Sequence, residues 1–351
     1  MATNPTPTDP MNFKFHWVDE EGNTKGMFAT KGHFDGEMLH LGKDDSLPVA
    51  AFAEVESRNH YLLFAVAHED GPIHLILYIT SQSLAQKLKE AIGRARSAIW
   101  AEQHRKELNE AGRGHEFRAV HCPYCQATID LTGFPETPQV SCMFCHSLAT
   151  LADSTAYIPG ESHREQHYQL CEECGMYSKP RKFTIFYFYF LLVVYGYYQN
   201  ETWRCPACMR GEAWKMLFGN LLFVIGVPVA LVQLFRAYGG TSVGEHFPGL
   251  DAANLKARNG NLEAAVGDYQ KLMEKRPVSA GVKYNIGLAC LNKDDLQSAS
   301  RILEYALQDC ANYQPAASLL IGCYNELGET QKAAELKRVW EVEEDQTPEV
   351  N

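Results

Sequence analysis

Four Cys-x-x-Cys pairs crowd the middle third of this 351-residue chain: Cys122/Cys125, Cys142/Cys145, Cys171/Cys174 and Cys205/Cys208. A two-residue spacer lets both thiolates of a pair reach one cation from a tight turn, and two such pairs complete a tetrahedral shell. The pairing points to two structural zinc ions held by these eight cysteines. Each shell would be closed, leaving no open position for chemistry.

The first two pairs are sixteen residues apart, a spacing that reads as a zinc site. Within that spacer, residues 127–131 and 139–141 read as short strands joined by a Pro- and Gly-containing turn at 133–137. The stretch 116–152 resembles a zinc ribbon, in which two knuckles cap a small sheet. His121 and His146 flank the cysteines, but four thiolates already fill the shell, so both are expected outside it.

The other two pairs are thirty residues apart, and their spacer holds an aromatic, apolar run at 183–198. Two readings stay open. A hairpin of strands or a re-entrant loop would bring the pairs together as a second ribbon over 170–214, whereas a single bilayer crossing would separate them. Sixteen apolar residues fall short of the roughly 17 to 25 of a spanning helix, and the aromatic and β-branched content favours strands. The terminal tyrosines and the basic flank at 179–182 resemble an interfacial belt instead.

Residues 216–235 carry no charge, lie between Lys215 and Arg236, and reach the length of a transmembrane helix. Gly226 and Pro228 would kink it. Residues 1–20 are polar and show no signal-peptide pattern. The expectation is an integral membrane protein with a spanning helix in 215–238 and its other domains facing the cytoplasm, touching the membrane through 216–235 and possible contact at 183–198.

A 34-residue period marks the carboxyl-terminal third: Ala265, Ala299 and Ala333 recur at that interval, as do the turn residues Gly260, Asp294 and Gly328. The residues around them, Asn259-Gly-Asn-Leu-Glu-Ala-Ala265 with Tyr269 and Pro277, then Tyr284-Asn-Ile-Gly287 with Ala306, then Tyr324, resemble tetratricopeptide repeats. Three repeats fit within 246–342. The first lacks the usual Leu-Gly and the third its closing proline, which reads these two as caps. The resemblance implies an all-α solenoid whose groove binds a peptide or protein partner of unspecified identity. From Leu250 onward, eleven Lys/Arg face sixteen Asp/Glu, which favours a basic or mixed partner. The acidic tail at 343–351 and the first ten residues are expected to be disordered.

Residues 11–112 read as a separate α+β domain. Phe13/Phe15/Trp17, Leu62/Phe64/Val66 and Ile73/Leu75/Leu77/Ile79 alternate as half-buried strands, and turns are expected at Glu21-Gly22, Asp35-Gly36 and Asp70-Gly71. An amphipathic helix starts near Ser81 with Leu84, Leu88, Ile92 and Ile99 on one stripe. Hairpins closed by one carboxyl-terminal helix look like a pleckstrin-homology-like barrel.

Eleven cysteines suit a reducing compartment, with Cys290, Cys310 and Cys323 expected as small core residues. A net charge of -11 makes nucleic acid an unlikely partner. Phosphate-loop, nucleophile-elbow and His-Glu-x-x-His patterns are absent. The nearest approach, His163-Arg-Glu-Gln-His167, lacks the acid beside its first histidine and reads as linker. The combined expectation is a multidomain, membrane-anchored, non-catalytic zinc adaptor. Two alternatives are a zinc-ribbon nucleic-acid binder and a dithiol redox or chaperone-like protein using Cys122-Pro-Tyr-Cys125 and Cys205-Pro-Ala-Cys208.

Overall fold

Period-two alternation in the amino-terminal third, broken by glycine turns, builds antiparallel sheet. A computed structural model describes residues 10–19, 22–66, 71, 73–152, 154–157, 162–191, 194–221, 226–239 and 246–344. The expected disordered ends therefore fall almost wholly outside the described residues, as do Glu21 and Asp70 of two expected turns. The chain divides into two compact units: Met1–Phe134 with Cys142–Cys145 and Arg338–Asn351, and Pro135–Ser141 with His146–Lys337.

In the first unit, β1 (Met11–Val18), β2 (Thr24–Phe34), β3 (Met38–Leu41), β4 (Asp45–Pro48), β5 (Phe52–Arg58), β6 (Tyr61–Val66) and β7 (Ile73–Ile79) form one sheet. Their spatial order is β4-β3-β2-β1-β7-β6-β5, and its ladders are antiparallel. Phe15, Phe34, Leu39, Leu62, Leu77 and Ile79 on one face are fully buried. That face is covered by α1 (Gln82–Glu110), whose Ala85, Leu88, Ala91 and Ile92 join the same core. The expected pleckstrin-homology-like barrel is not formed. β4 and β5 lie at opposite edges, and among the described residues no ladder joins them. A barrel fills its interior with side chains from its own strands. Here a 29-residue helix with alanines on its buried face already covers the apolar face, so an open sheet suffices.

After α1, β8 (Ala119–His121) pairs with β9 (Thr128–Asp130). The second unit begins with β10 (Gln139–Ser141), paired with β11 (Leu148–Thr150). The spacer strands expected to face each other, β9 and β10, therefore each pair instead across their own cysteine turn. Hydrogen bonds inside the turn reverse the chain at once: Cys122 N–H donates to the Ala127 carbonyl at 2.9 Å and Gln126 N–H to the Cys122 carbonyl at 3.0 Å. Gln126 takes up a left-handed φ of 62° to complete the reversal.

β12 (Gln169–Leu170) and β13 (Tyr177–Ser178) follow, then a long hairpin of β14 (Arg181–Leu191) and β15 (Val194–Arg204). α2 (Pro206–Asn220) and α3 (Val227–Tyr238) pack on each other and on β14 around Phe183, Ile185, Met209, Met216 and Ala230. The expected spanning helix at 215–238 is thus replaced by two shorter helices, about 22 and 18 Å long, against a hydrocarbon core of about 30 Å. Among the described residues no helix is long and apolar enough to cross a membrane. The expectation of an integral membrane protein is withdrawn with it. Asn220 turns back to donate to the Met216 carbonyl at 2.8 Å and the Phe186 carbonyl at 2.9 Å. Pro228 then occupies the first turn of α3, where no N–H is required.

Helices complete the described chain: α4 (Leu250–Arg258), α5 (Leu262–Lys275), α6 (Ala280–Leu291), α7 (Leu296–Asp309), α8 (Gln314–Glu326) and α9 (Thr330–Glu344). α4 pairs with α5 and α6 with α7. Ala265, Ala299 and Ala333 are buried in the seams, and Gly260, Asp294 and Gly328 all turn the chain with positive φ. Asp294 does so at 59°, a conformation in which the short Asp side chain is better tolerated than a branched one. Cys290, Cys310 and Cys323 lie buried in the helical core, as expected.

Candidate metal centres

The eight paired cysteines gather into two sets of four, Cys122/Cys125/Cys142/Cys145 and Cys171/Cys174/Cys205/Cys208, the sulfurs of each set within 4.8 Å of one another. Sγ separations of 3.7 Å for Cys122 and Cys145, 3.6 Å for Cys125 and Cys142, and 3.9 Å for Cys174 and Cys205 decide what the sets can hold. A disulfide requires about 2.05 Å. A tetrahedron of Zn–S bonds of about 2.3 Å has edges of about 3.8 Å, which is the spacing found. Among the described residues these are the groups able to hold a metal, and neither His121 nor His146 joins them.

Electrostatics favour a cation in each set. Four thiolates so close repel one another, and a dication offsets that repulsion. Four sulfur donors in a tetrahedron suit zinc or iron–sulfur chemistry rather than magnesium or calcium.

The first set lies entirely in the first unit, where α1 serves it as a platform. Lys89 Nζ donates to the Phe144 carbonyl at 3.2 Å, and Thr128 N–H donates to Ser97 Oγ at 2.9 Å. The Arg96 guanidinium stacks 4.6 Å from the Trp100 ring and 5.4 Å from the Phe144 ring, while donating to the Phe52 carbonyl. Burial lowers its pKa to about 10, so it stays charged at neutral pH. Its cation–π contacts hold the Cys142–Cys145 turn from the ring between the two ligands.

The second set is asymmetric. Cys171 and Cys174 sit in a turn like the first pair, closed by bonds from Cys171 N–H to the Met176 carbonyl and Gly175 N–H to the Cys171 carbonyl. Cys205 and Cys208 instead occupy the start of α2, Cys205 capping it and Cys208 lying in its first turn. A helix amino terminus presents free N–H groups and favours thiolate, and Cys205 N–H donates to Cys171 Sγ at 3.2 Å. The β14–β15 hairpin decides which reading of 183–198 holds. Its register pairs Arg181 with Arg204, returning the chain to where it left and bringing Cys205 beside Cys171.

No protein-family model matches the chain, and no curated protein matches it. The surroundings of the second centre define what it can do. Arg258 on α4 donates a guanidinium N–H to Cys208 Sγ at 2.9 Å. Tyr177, three residues beyond Cys174, is buried against α6, where a Cβ at Gly281 would fall 2.3 Å from its ring. Tyr284 Oη donates to the Gly175 carbonyl at 3.1 Å.

A buried polar group lies in the segment expected to be linker. Glu165 accepts from Tyr177 Oη at 2.9 Å and from Gln139 Nε2 at 3.3 Å, with His246 Nε2 at 3.8 Å. Burial pushes its pKa up to about 7 against the lowering effect of those donors. His167 ends the same short 3-10 turn, and neither it nor Glu165 belongs to a metal set. Arg258, Asn254, Asn285 and Glu165 are not legible as site residues in the sequence because none stands at motif spacing.

Proposed function

We propose that this chain is a non-catalytic, zinc-organised interaction protein. Each four-cysteine set holds one structural zinc, and the helical hairpins form a tetratricopeptide-like array. The gathering of eight cysteines into two tetrahedral sets is the observation that carries this reading. A full thiolate shell leaves no position for water or substrate, so each ion would stabilise short segments that bury too little surface to hold themselves. The helix starts Leu262, Leu296 and Thr330 step at the 34-residue period of that repeat class. The array's proposed ligand is a protein partner. With Tyr177 and its neighbours covering part of the α4 and α6 surface, the partner is proposed to use the remainder.

Elemental analysis of the full chain tests the metal reading. About two zinc ions per chain are expected, falling by one in Cys142→Ser and by one in Cys205→Ser. Absence of zinc from protein purified without chelators would overturn it.

A further inference from the structure

The second cysteine set is gripped by the helical array through groups that have no role in a free-standing zinc module. Three observations converge on α4 and α6. Arg258 reaches a ligand sulfur itself, at 2.9 Å. Asn254 and Asn285 hold the backbone of Tyr177, Asn254 Nδ2 donating to its carbonyl at 2.9 Å and Asn285 pairing with both its N–H and its carbonyl at 2.7 Å. Gly281 leaves room for the Tyr177 ring, which no other residue type at that position would do without displacement. The two asparagines are fixed in turn, since Asn254 Oδ1 accepts from both Tyr269 Oη and Asn285 Nδ2.

We propose that the α4–α6 surface of the array is a binding site for the metal-loaded second cysteine module, and that Arg258 recognises the charge of its tetrathiolate. This inference rests on the zinc reading above. Zinc with four thiolates carries a net charge of -2, and a guanidinium donating to one sulfur offsets part of it in a partly buried setting. Arg258 is a positioning residue: it acts on the metal through Cys208. The Tyr177 strand follows Cys174 directly, so the turn that the metal closes also presents Tyr177 to the asparagines. Loss of the metal frees that turn, and the strand loses the conformation in which its N–H and carbonyl meet Asn285. The array thereby senses whether the second centre is loaded.

The test uses the full chain, with zinc counted and backbone amide exchange followed on α4 and α6. Cys208→Ser is expected to lose one zinc and to raise exchange across residues 254–257 and 281–289, whereas Cys122→Ser loses one zinc and leaves those amides protected. Arg258→Met keeps the helices folded and is expected to release the second zinc to a chromogenic chelator about 10- to 100-fold faster, with Arg258→Lys recovering part of the loss. If Cys208→Ser loses a zinc while α4 and α6 stay as protected as in the wild type, the coupling is overturned and the metal reading stands. Wild-type release rates in Arg258→Met would overturn the role of Arg258. If Cys208→Ser loses no zinc while the wild type holds about two, Cys208 is not needed as a ligand and the inference is overturned; if the wild type holds none, the metal reading fails and the inference with it.

Discussion

Tyr177 and Asn285 exchange two hydrogen bonds across 108 positions of sequence: the Tyr177 N–H donates to Asn285 Oδ1, and Asn285 Nδ2 donates to the Tyr177 carbonyl, each at 2.7 Å. A side-chain amide thus completes a backbone strand as a neighbouring strand would. Both groups are buried, so neither bond can be exchanged for one to water.

Asn285→Ala should therefore cost more than an ordinary hydrogen-bond deletion. It leaves the Tyr177 N–H and one Asn254 acceptor site without their partner, and about 2–4 kcal/mol of stability is expected to go with them. Denaturant unfolding followed by far-ultraviolet circular dichroism measures this. A loss below about 0.5 kcal/mol would mean the segment rearranges at little cost.

Gly281→Val tests the same contact from the steric side. Its Cβ would overlap the Tyr177 ring, so either the ring or α6 must move, at about 1–3 kcal/mol or more. The companion Gly211→Ala, on α2 where nothing lies within 4 Å of the new Cβ, is expected to be neutral or slightly stabilising.

Ser97→Ala addresses the first centre. It removes the acceptor of Thr128 N–H, in the strand that leads out of the Cys122–Cys125 turn. Stability of that unit should fall by about 1–3 kcal/mol, and zinc should leave the first centre faster while the second is unaffected. Equal rates at both centres would show that α1 does not brace the site.

Glu165 sets a pH dependence whose sign follows from its raised pKa. Unfolded, the carboxyl releases its proton near 4.5; folded, burial keeps it protonated to about 7. Between these values the folded state binds more protons, so its contribution is fully present below pH 4.5 and is lost as pH rises through about 7. About 3 kcal/mol is at stake. The facing groups are Tyr177, Gln139, His246, Arg276 and Asp309. With zinc retained, melting temperature should decline as pH rises from about 4.5 to about 7 and level off above that, and Glu165→Gln should flatten that decline. A slope unchanged in the variant would place its origin elsewhere.

Local patterns by themselves determine much about this protein. The Cys-x-x-Cys pairs specify tight turns and tetrathiolate chemistry because both depend on residues a few positions apart. The 34-residue period marks Gly260, Asp294 and Gly328 as turns because a helix must end where the backbone takes positive φ. Strand alternation in β1, β6 and β7 is legible for the same reason. What local pattern could not supply is who covers whom. The run at 216–235 has the composition of a membrane span, yet β14 and α2 cover part of it. The sheet's apolar face could have been closed by its own strands or capped by a helix, and the alternation is identical in both cases. Glu165, Arg258 and Asn285 acquire their roles only through neighbours far along the chain, since burial and hydrogen-bond partners belong to tertiary packing and leave no periodicity behind.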